Sequence, residues 1–341
     1  MTLFPTLLAF SVFVASLALT WWFRRQAVAH RLLDVPSARS SHTIATPRGG
    51  GVAIVLSTLV ALLAVGWAGW VDWPSVSGFC GGGALAALIG FADDRGHVSP
   101  PWRLAGHLAA AIWVQAELGG IPPLTAMGFV LDSGWLGLAI APLYLVWMLN
   151  LTNFMDGIDG IAGVEVITVC LSAVLLSGVA APGERLWIAP LVLASATLGF
   201  LAWNWPPAKI FMGDVGSGFL GLTLAALSLQ AGWVVNRLFW GWVILLGVFV
   251  VDATVTLIRR IADGERFYEA HRSHAYQHAA IRWRGHLPVT VAVGAINVCW
   301  LLPIALLVAL GSLDGLLGVV IAYAPIVAVT FWLGAGKLSP R

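Results

Sequence analysis

Apolar stretches of about twenty residues, each closed by a short polar segment, recur along the whole chain, as in helices that cross a bilayer. They fall near 2–23, 49–70, 76–92, 104–118, 133–151, 160–180, 186–204, 215–232, 237–258, 288–311 and 314–335. A backbone in lipid must satisfy its own polar groups, so these runs predict helices. The expectation is an all-α, polytopic membrane protein of about 11 spans, forming a single domain over residues 1–341. The third and fourth runs are short, which leaves a re-entrant segment or a merged pair open. Arg24 and Arg25 follow the first run rather than precede it, the reverse of a cleavable signal peptide, so this run reads as a retained span.

Composition agrees with that class. Of 341 residues, 59% are hydrophobic and 10% charged, and the mean hydropathy is +0.89, a balance unsuited to the surface of a soluble domain. Cys80, Cys170 and Cys299 all lie within apolar runs and read as small buried hydrophobes, implying neither a disulfide framework nor a zinc site. The net charge of +2 matters less than its distribution. Loops 24–48, 93–103, 150–160, 205–214 and 259–287, with the C-terminus, hold 16 of the 18 Lys and Arg residues. The opposite loops hold Arg185 and Arg237. The positive-inside rule assigns the first set to the cytoplasm, with an odd number of spans and the N-terminus outside. Trp21, Trp22, Trp73, Trp135, Trp205 and Trp233 fall at run ends, as interfacial belts do.

Every polar cluster lies on that basic side. Asn150 to Gly163 interrupts apolar sequence with two amides and two carboxylates, Asn150, Asn153, Asp156 and Asp159, among glycines. One helical turn would put Asp156 and Asp159 on one face, and such a group suits a hard cation and phosphate oxygens. A pair of helix-capping aspartates is the plainer alternative. Asp93 and Asp94 repel each other unless a cation or an arginine such as Arg95 compensates them. In Gly213-Asp214-Val-Gly-Ser-Gly the glycines allow close approach of a phosphate and Asp214 offers a hard oxygen ligand. Asp72, Asp132 and Asp314, on the other side, are solitary.

In the last basic loop His271, His274 and His278 recur at i, i+3 and i+7 with Phe267 and Ile281. On one helix they form a stripe that faces protein or membrane, where histidines donate to phosphate oxygens or, less readily without neighbouring cysteines, bind zinc. An amphipathic segment on anionic lipid is the alternative. Glu165 and Asp252 are acids inside apolar runs and therefore functional suspects. Asp252 sits near Arg259, so an ion pair is equally open; Glu165 has no evident partner.

Together these residues resemble the polyprenyl-phosphate N-acetylhexosamine-1-phosphate transferases. The resemblance is carried by Asp93-Asp94, Asn150-x-x-Asn153-x-x-Asp156-Gly-x-Asp159-Gly, Phe211-Met-Gly-Asp214-x-Gly-Ser and the histidine loop. It also takes in Asp34-x-Pro-x-x-Arg39-x-x-His42 and Pro47-Arg-Gly-Gly-Gly51. His-Arg-Ser-His-Ala-Tyr-Gln looks like the subgroup that initiates O-antigen. The peptidoglycan branch is disfavoured, because it shows adjacent histidines and a lysine-rich segment after its Asp pair.

The resemblance implies that undecaprenyl phosphate attacks the β-phosphorus of a UDP-N-acetylhexosamine, or a 6-deoxy relative, and releases UMP. It assigns Mg2+, or Mn2+, to Asn153 and Asp214, with Asp93, Asp94, Asp156 and Asp159 catalytic. Asn150, Arg103, His271, Arg272 and His274 would bind substrate. Membrane lipid is then a partner, nucleic acid is not, and a homodimer is compatible. A transporter for a sugar nucleotide or cation is the alternative from another class, though its acids belong near the midplane rather than at one face. A CDP-alcohol phosphotransferase also uses Asp-Gly repeats, but its segment continues with Ala-Arg where this chain has Ile-Ala-Gly.

Overall fold

The computed structural model describes residues 3–30, 33–34, 36, 44–96, 98–265 and 272–337. Each apolar run falls on helix. In chain order these are α1 (Leu3–Ala29), α2 (Gly51–Trp67), α3 (Trp73–Ser77) continuing through a π-helical turn into α4 (Gly83–Gly96), and α5 (Pro100–Leu118). Then come α6 (Gly134–Met155), α7 (Ile161–Ala180), α8 (Ile188–Asn204), α9 (Asp214–Val234), α10 (Asn236–Leu245) and α11 (Gly247–Ala262). The last are α12 (Ala275–Arg282), α13 (His286–Ile296) joined by a π turn to α14 (Leu302–Ala309), and α15 (Gly315–Trp332). The chain is a multi-pass membrane protein.

Among the described residues, seven helices are long and apolar enough to cross a bilayer, or up to eight if α10 and α11 form one span bent by 66°. This falls below the expected eleven. Two apolar helices, α2 and α8, have 17 residues each, short against the roughly 20 that a bilayer requires. Polar Arg103, His107, Gln115 and Glu117 dilute α5. The all-α expectation holds for the bundle. Two small hairpins occur outside the helices, β1 (Leu33–Asp34) with β2 (Thr46–Pro47), and β3 (Leu124–Ala126) with β4 (Phe129–Leu131). Cys170 is buried as expected, but Cys299 is exposed.

The bundle is built round α9, which is 94% buried over its apolar window. Helices in lipid gain little from hydrophobic exclusion and associate through close packing, which small residues permit. A Cβ on Gly221 would stand 2.4 Å from the Met148 carbonyl of α6, and one on Gly90 of α4 would stand 2.4 Å from the Asp214 carbonyl. Both crossings therefore require glycine. Buried hydroxyls such as those of Thr152, Thr197 and Thr223 bond to carbonyls one turn back, so they add no unsatisfied group to the core.

The same packing assembles the loops at one end. Phe211 donates its amide to Pro47, Gly49 and Gly50 donate to Phe211, and Gly51 donates to Met212, at 2.8–3.1 Å. A Cβ on Gly51 would lie 2.4 Å from the Gly216 Cα, so the first loop can dock onto the start of α9 only as glycine. Asn204 then ties in the third loop, accepting from the Gly160 amide at 2.9 Å and donating to the Ile210 carbonyl at 2.9 Å.

Candidate active site

The site begins at the exposed amides of the α9 N-terminus, which no residue of the same helix can satisfy. Asp94, at the end of α4, fills them from outside, accepting from the Asp214 and Val215 amides at 3.1 Å each. Gly213 has φ +80°, and a Cβ there would meet the Asp94 carboxylate at 2.6 Å. Arg48 completes the knot, its Nη2 lying 2.8 Å from Asp94 Oδ1 and 2.8 Å from Asp214 Oδ1. Burial alone would lower the guanidinium pKa, but Asp94, Asp214, Asp34 and Asp156 outweigh it and hold the group above its ordinary value.

The Asp pair divides its work. Asp93 turns the other way and accepts from the Val98 amide and from Arg103 Nη1, both at 2.7 Å. Its counterion is thus Arg103, while Arg95 lies over the Phe91 ring at 4.3 Å. Asn150 donates to its own helix at the Val146 carbonyl, 2.8 Å away, and lines a small cleft with Asp93, Arg103, His107 and Asp214. Asn153 Nδ2 donates to Ser217 Oγ at 3.0 Å.

Asp156 caps the C-terminus of α6, and its carboxylate makes no hydrogen bond among the described residues. Burial, and then the Asp214 charge, push its pKa well above the usual carboxylate range, with Arg48 opposing. Asp159 is held, accepting from the Ala208 amide at 3.0 Å and lying 3.2 Å from His286 Nδ1. These groups surround a cavity of about 230 Å³ lined by Asp34, Arg48, Asn153, Asp156, Asp159 and Asp214.

Two further cavities adjoin it. One of about 290 Å³ shares Ile158 and Gln277 with the carboxylate cavity and carries Arg272, Arg284 and His286. The other, about 790 Å³, shares Asp34 and Arg48, and is walled by Trp22, Phe23, Val52 and Phe91. It is the most apolar of the three.

His274 is placed elsewhere than the sequence suggests. Its ring is buried, 3.3 Å from Asp252 Oδ1 and stacked on Tyr276. His274 and His278 do not form one helical stripe, because α12 starts only at Ala275 and His274 is its N-cap. Asp252 also accepts from the Ala275 and Tyr276 amides at 2.9 Å each, whereas Arg259 lies over the Phe331 ring. Tyr276 in turn donates its hydroxyl to the Phe154 carbonyl at 2.9 Å. Asp252 and His274 therefore position α12 against the Asp156 loop. Glu165 is fully buried and accepts from Asn297 at 2.7 Å, away from the site. His271, Arg39 and His42 lie outside the described residues.

Arg48, Asp34, Ser217, Gln277, Arg284 and His286 were not singled out as site residues by sequence. For Arg48 a signal exists in the glycine run that follows it. Asp34, Ser217 and Gln277 also lie in motifs that carried the resemblance, whereas Arg284 and His286 reach the site only through tertiary packing.

No group of three or more His, Cys, Asp or Glu side chains with metal-holding geometry occurs among the described residues. The donor chemistry nevertheless fits a hard divalent ion. Mg2+ keeps waters and substrate oxygens and needs only one or two carboxylates from the protein. Asp156 and Asp214 face one cavity with the Asn153 amide, and the Asp214 charge raises the Asp156 pKa, a repulsion that a divalent ion between them would relieve.

The fold and site define a multi-pass membrane protein whose motif loops converge on a carboxylate and arginine cavity at one end of the bundle. Sequence comparison then identifies its relatives. The chain belongs to glycosyl transferase family 4, whose model matches residues 76–232, the segment from α3 through most of α9. It is 33% identical over 263 residues to the probable undecaprenyl-phosphate N-acetylglucosaminyl 1-phosphate transferase of Bacillus subtilis (strain 168), covering 74% of this chain and 71% of that protein. It is 29% identical over 283 residues to the decaprenyl-phosphate N-acetylglucosaminephosphotransferase of Mycobacterium leprae, covering 74% and 70%. Against the phospho-N-acetylmuramoyl-pentapeptide-transferase of Kocuria rhizophila it is 29% identical over 279 residues, covering 66% and 72%.

Proposed function

We propose that this protein transfers an N-acetylhexosamine 1-phosphate, or that of a 6-deoxy relative, from a UDP-sugar to undecaprenyl phosphate, releasing UMP. In this proposal it lies in the bacterial plasma membrane with eleven spans, the N-terminus outside and the site in the cytoplasm, and it initiates a surface polysaccharide of the O-antigen type. The observation that carries it is the junction at Arg48 and Asp34. There a carboxylate cavity meets an apolar groove on one side, while on the other it adjoins a cavity with two arginines. A reaction between a lipid phosphate and a sugar nucleotide needs all three surfaces. A transporter would instead place its acids near the midplane.

The lipid chain occupies the groove between α1, α2 and α4, and its phosphate reaches the cavity past Arg48. The donor diphosphate lies toward Arg272 and Arg284, whose planar forks suit phosphate oxygens. Asp214, Asp156 and the Asn153 amide would hold Mg2+. When bound, it supplies charge neutralisation for the diphosphate and for the departing UMP.

Direct displacement suits the geometry. A lipid phosphate oxygen attacks the β-phosphorus, and the bond from that phosphorus to the oxygen bridging the α-phosphate breaks, with its electron pair leaving on UMP. Each Asp94 oxygen accepts a backbone amide, and Asp93 is bonded to Val98 and Arg103. Neither carboxylate is left free as a nucleophile. A phosphate monoester, whose second pKa is near ~6, needs little help from a base at neutral pH. Positioning supplies most of the acceleration.

The donor is identified by incubating purified enzyme with undecaprenyl phosphate, Mg2+ and a panel of UDP-sugars, and measuring UMP. Turnover with a UDP-N-acetylhexosamine is expected. UMP release from UDP-N-acetylmuramoyl-pentapeptide alone would move the protein to cell-wall precursor synthesis.

A further inference from the structure

Arg48 is bound to two carboxylates through one nitrogen, and the strength of that hold can be judged from its surroundings. Its side chain is 39% exposed, against 8% for Asp94 and 25% for Asp214. An ion pair with one partner open to water is exchanged more readily than a fully buried one. Losing Arg48 would leave Asp94 its two amides at the head of α9. It would leave Asp214 facing Asp93, Asp94 and Asp156 without that cation. The backbone beneath Arg48 does not depend on the side chain, being tied to Phe211 and Met212 by the amides of Gly49, Gly50 and Gly51. Arg48 also lines both the carboxylate cavity and the apolar groove. Nη2 alone makes the two contacts, so the guanidinium has further donors for an anion arriving along the groove.

We propose that Arg48 is an exchangeable counterion, which neutralises Asp94 and Asp214 in the metal-free protein and gives its charge to the acceptor phosphate once a divalent cation has taken its place. This rests on the metal-dependent transfer described above. It assigns one residue to two successive partners: a carboxylate pair when the site is metal-free, a lipid phosphate when it is loaded. The divalent ion and the arginine therefore compete for the same negative charge. A residue that merely braced the head of α9 would behave oppositely, because its removal would loosen Asp94 and Asp214 and weaken the cation site.

The test measures Mn2+ binding to the purified, metal-free protein by electron paramagnetic resonance, for the unmodified chain, Arg48→Gln and Arg48→Lys. Arg48→Gln is expected to bind Mn2+ about fivefold more tightly, the factor that corresponds to releasing a half-exposed ion pair. Arg48→Lys keeps the competing charge and is expected to bind as the unmodified protein does. In turnover, Arg48→Gln should raise the KM for undecaprenyl phosphate by about tenfold, the effect of losing one charged contact to phosphate, with the KM for the UDP-sugar unchanged. Unchanged or weaker Mn2+ binding in Arg48→Gln overturns the exchange while leaving the metal in place. Tighter binding in Arg48→Lys as well, or an unchanged KM for the lipid, also overturns it. Mn2+ binding to neither the unmodified protein nor the variants overturns both the exchange and the metal-dependent reaction it rests on.

Discussion

Asp156 and Asp214 show how a carboxylate site departs from what stability alone would choose. Burial and the neighbouring charge raise the Asp156 pKa, so the folded protein holds a proton there that the unfolded chain, near 3.8, has already released. Protons bound in excess by the folded state mean that stability falls as pH rises from about that value through the raised one. Asp156→Asn removes the titrating charge. We expect this variant to unfold at a higher temperature than the unmodified protein when both are metal-free near neutral pH, to lose the pH slope, and to be inactive. Equal or lower thermal stability, measured by scanning calorimetry in detergent, would show that Asp156 is already compensated. Asp214→Asn makes one anionic oxygen neutral, and is expected to lower turnover at least about a hundredfold and raise the Mg2+ requirement. An unchanged Mg2+ dependence would move the cation elsewhere.

At the scale of elements, two devices position the site, and both are backbone amides satisfied from a distant helix. Asp94 holds the head of α9, and Asp252 holds that of α12. Breaking a buried, charged contact of the second kind typically costs 3–5 kcal/mol. Asp252→Asn should therefore release α12 while leaving the bundle folded, seen as faster hydrogen exchange over 275–282 and a KM for the UDP-sugar raised at least about tenfold. His274→Ala should act in the same direction. Slow exchange with lost activity would instead return His274 to the substrate.

The helices and the carboxylates were legible in the sequence, because an apolar run in lipid has few alternatives to helix and acids beside such runs demand a reason. What the acids touch was not legible. Asp94 and Asp214 are separated by 120 positions, and no local pattern announces a cap supplied across that distance. The histidine spacing suggested one helical face, yet the chain enters α12 at His274, which caps instead of pointing along a stripe. The 66° bend between α10 and α11 was hidden because the sequence around it, from Trp242 to Val251, is apolar throughout. Helix packing was not read from the sequence either, although at Gly221 the missing side chain is what allows α6 and α9 to cross. Gly221→Val is expected to destabilise the α6–α9 crossing by about 2 kcal/mol or more, since a backbone carbonyl cannot yield as a side chain can.

For the whole molecule, the convergence of motif loops at one end makes orientation testable. In a cysteine-free background, an impermeant thiol reagent applied from outside should label Glu184→Cys, between α7 and α8, and spare Asp263→Cys, after α11. The reverse would invert the topology. The chemistry is tested most directly by following the β-phosphorus. Enzyme supplied with a UDP-N-acetylhexosamine labelled there, undecaprenyl phosphate and Mg2+ should move the label into the lipid fraction. One unlabelled UMP should form for each lipid diphosphate made, and no UMP without the lipid. Label retained in the aqueous fraction while UMP accumulates, or a burst of one UMP per site before lipid is added, would contradict direct transfer of the sugar 1-phosphate.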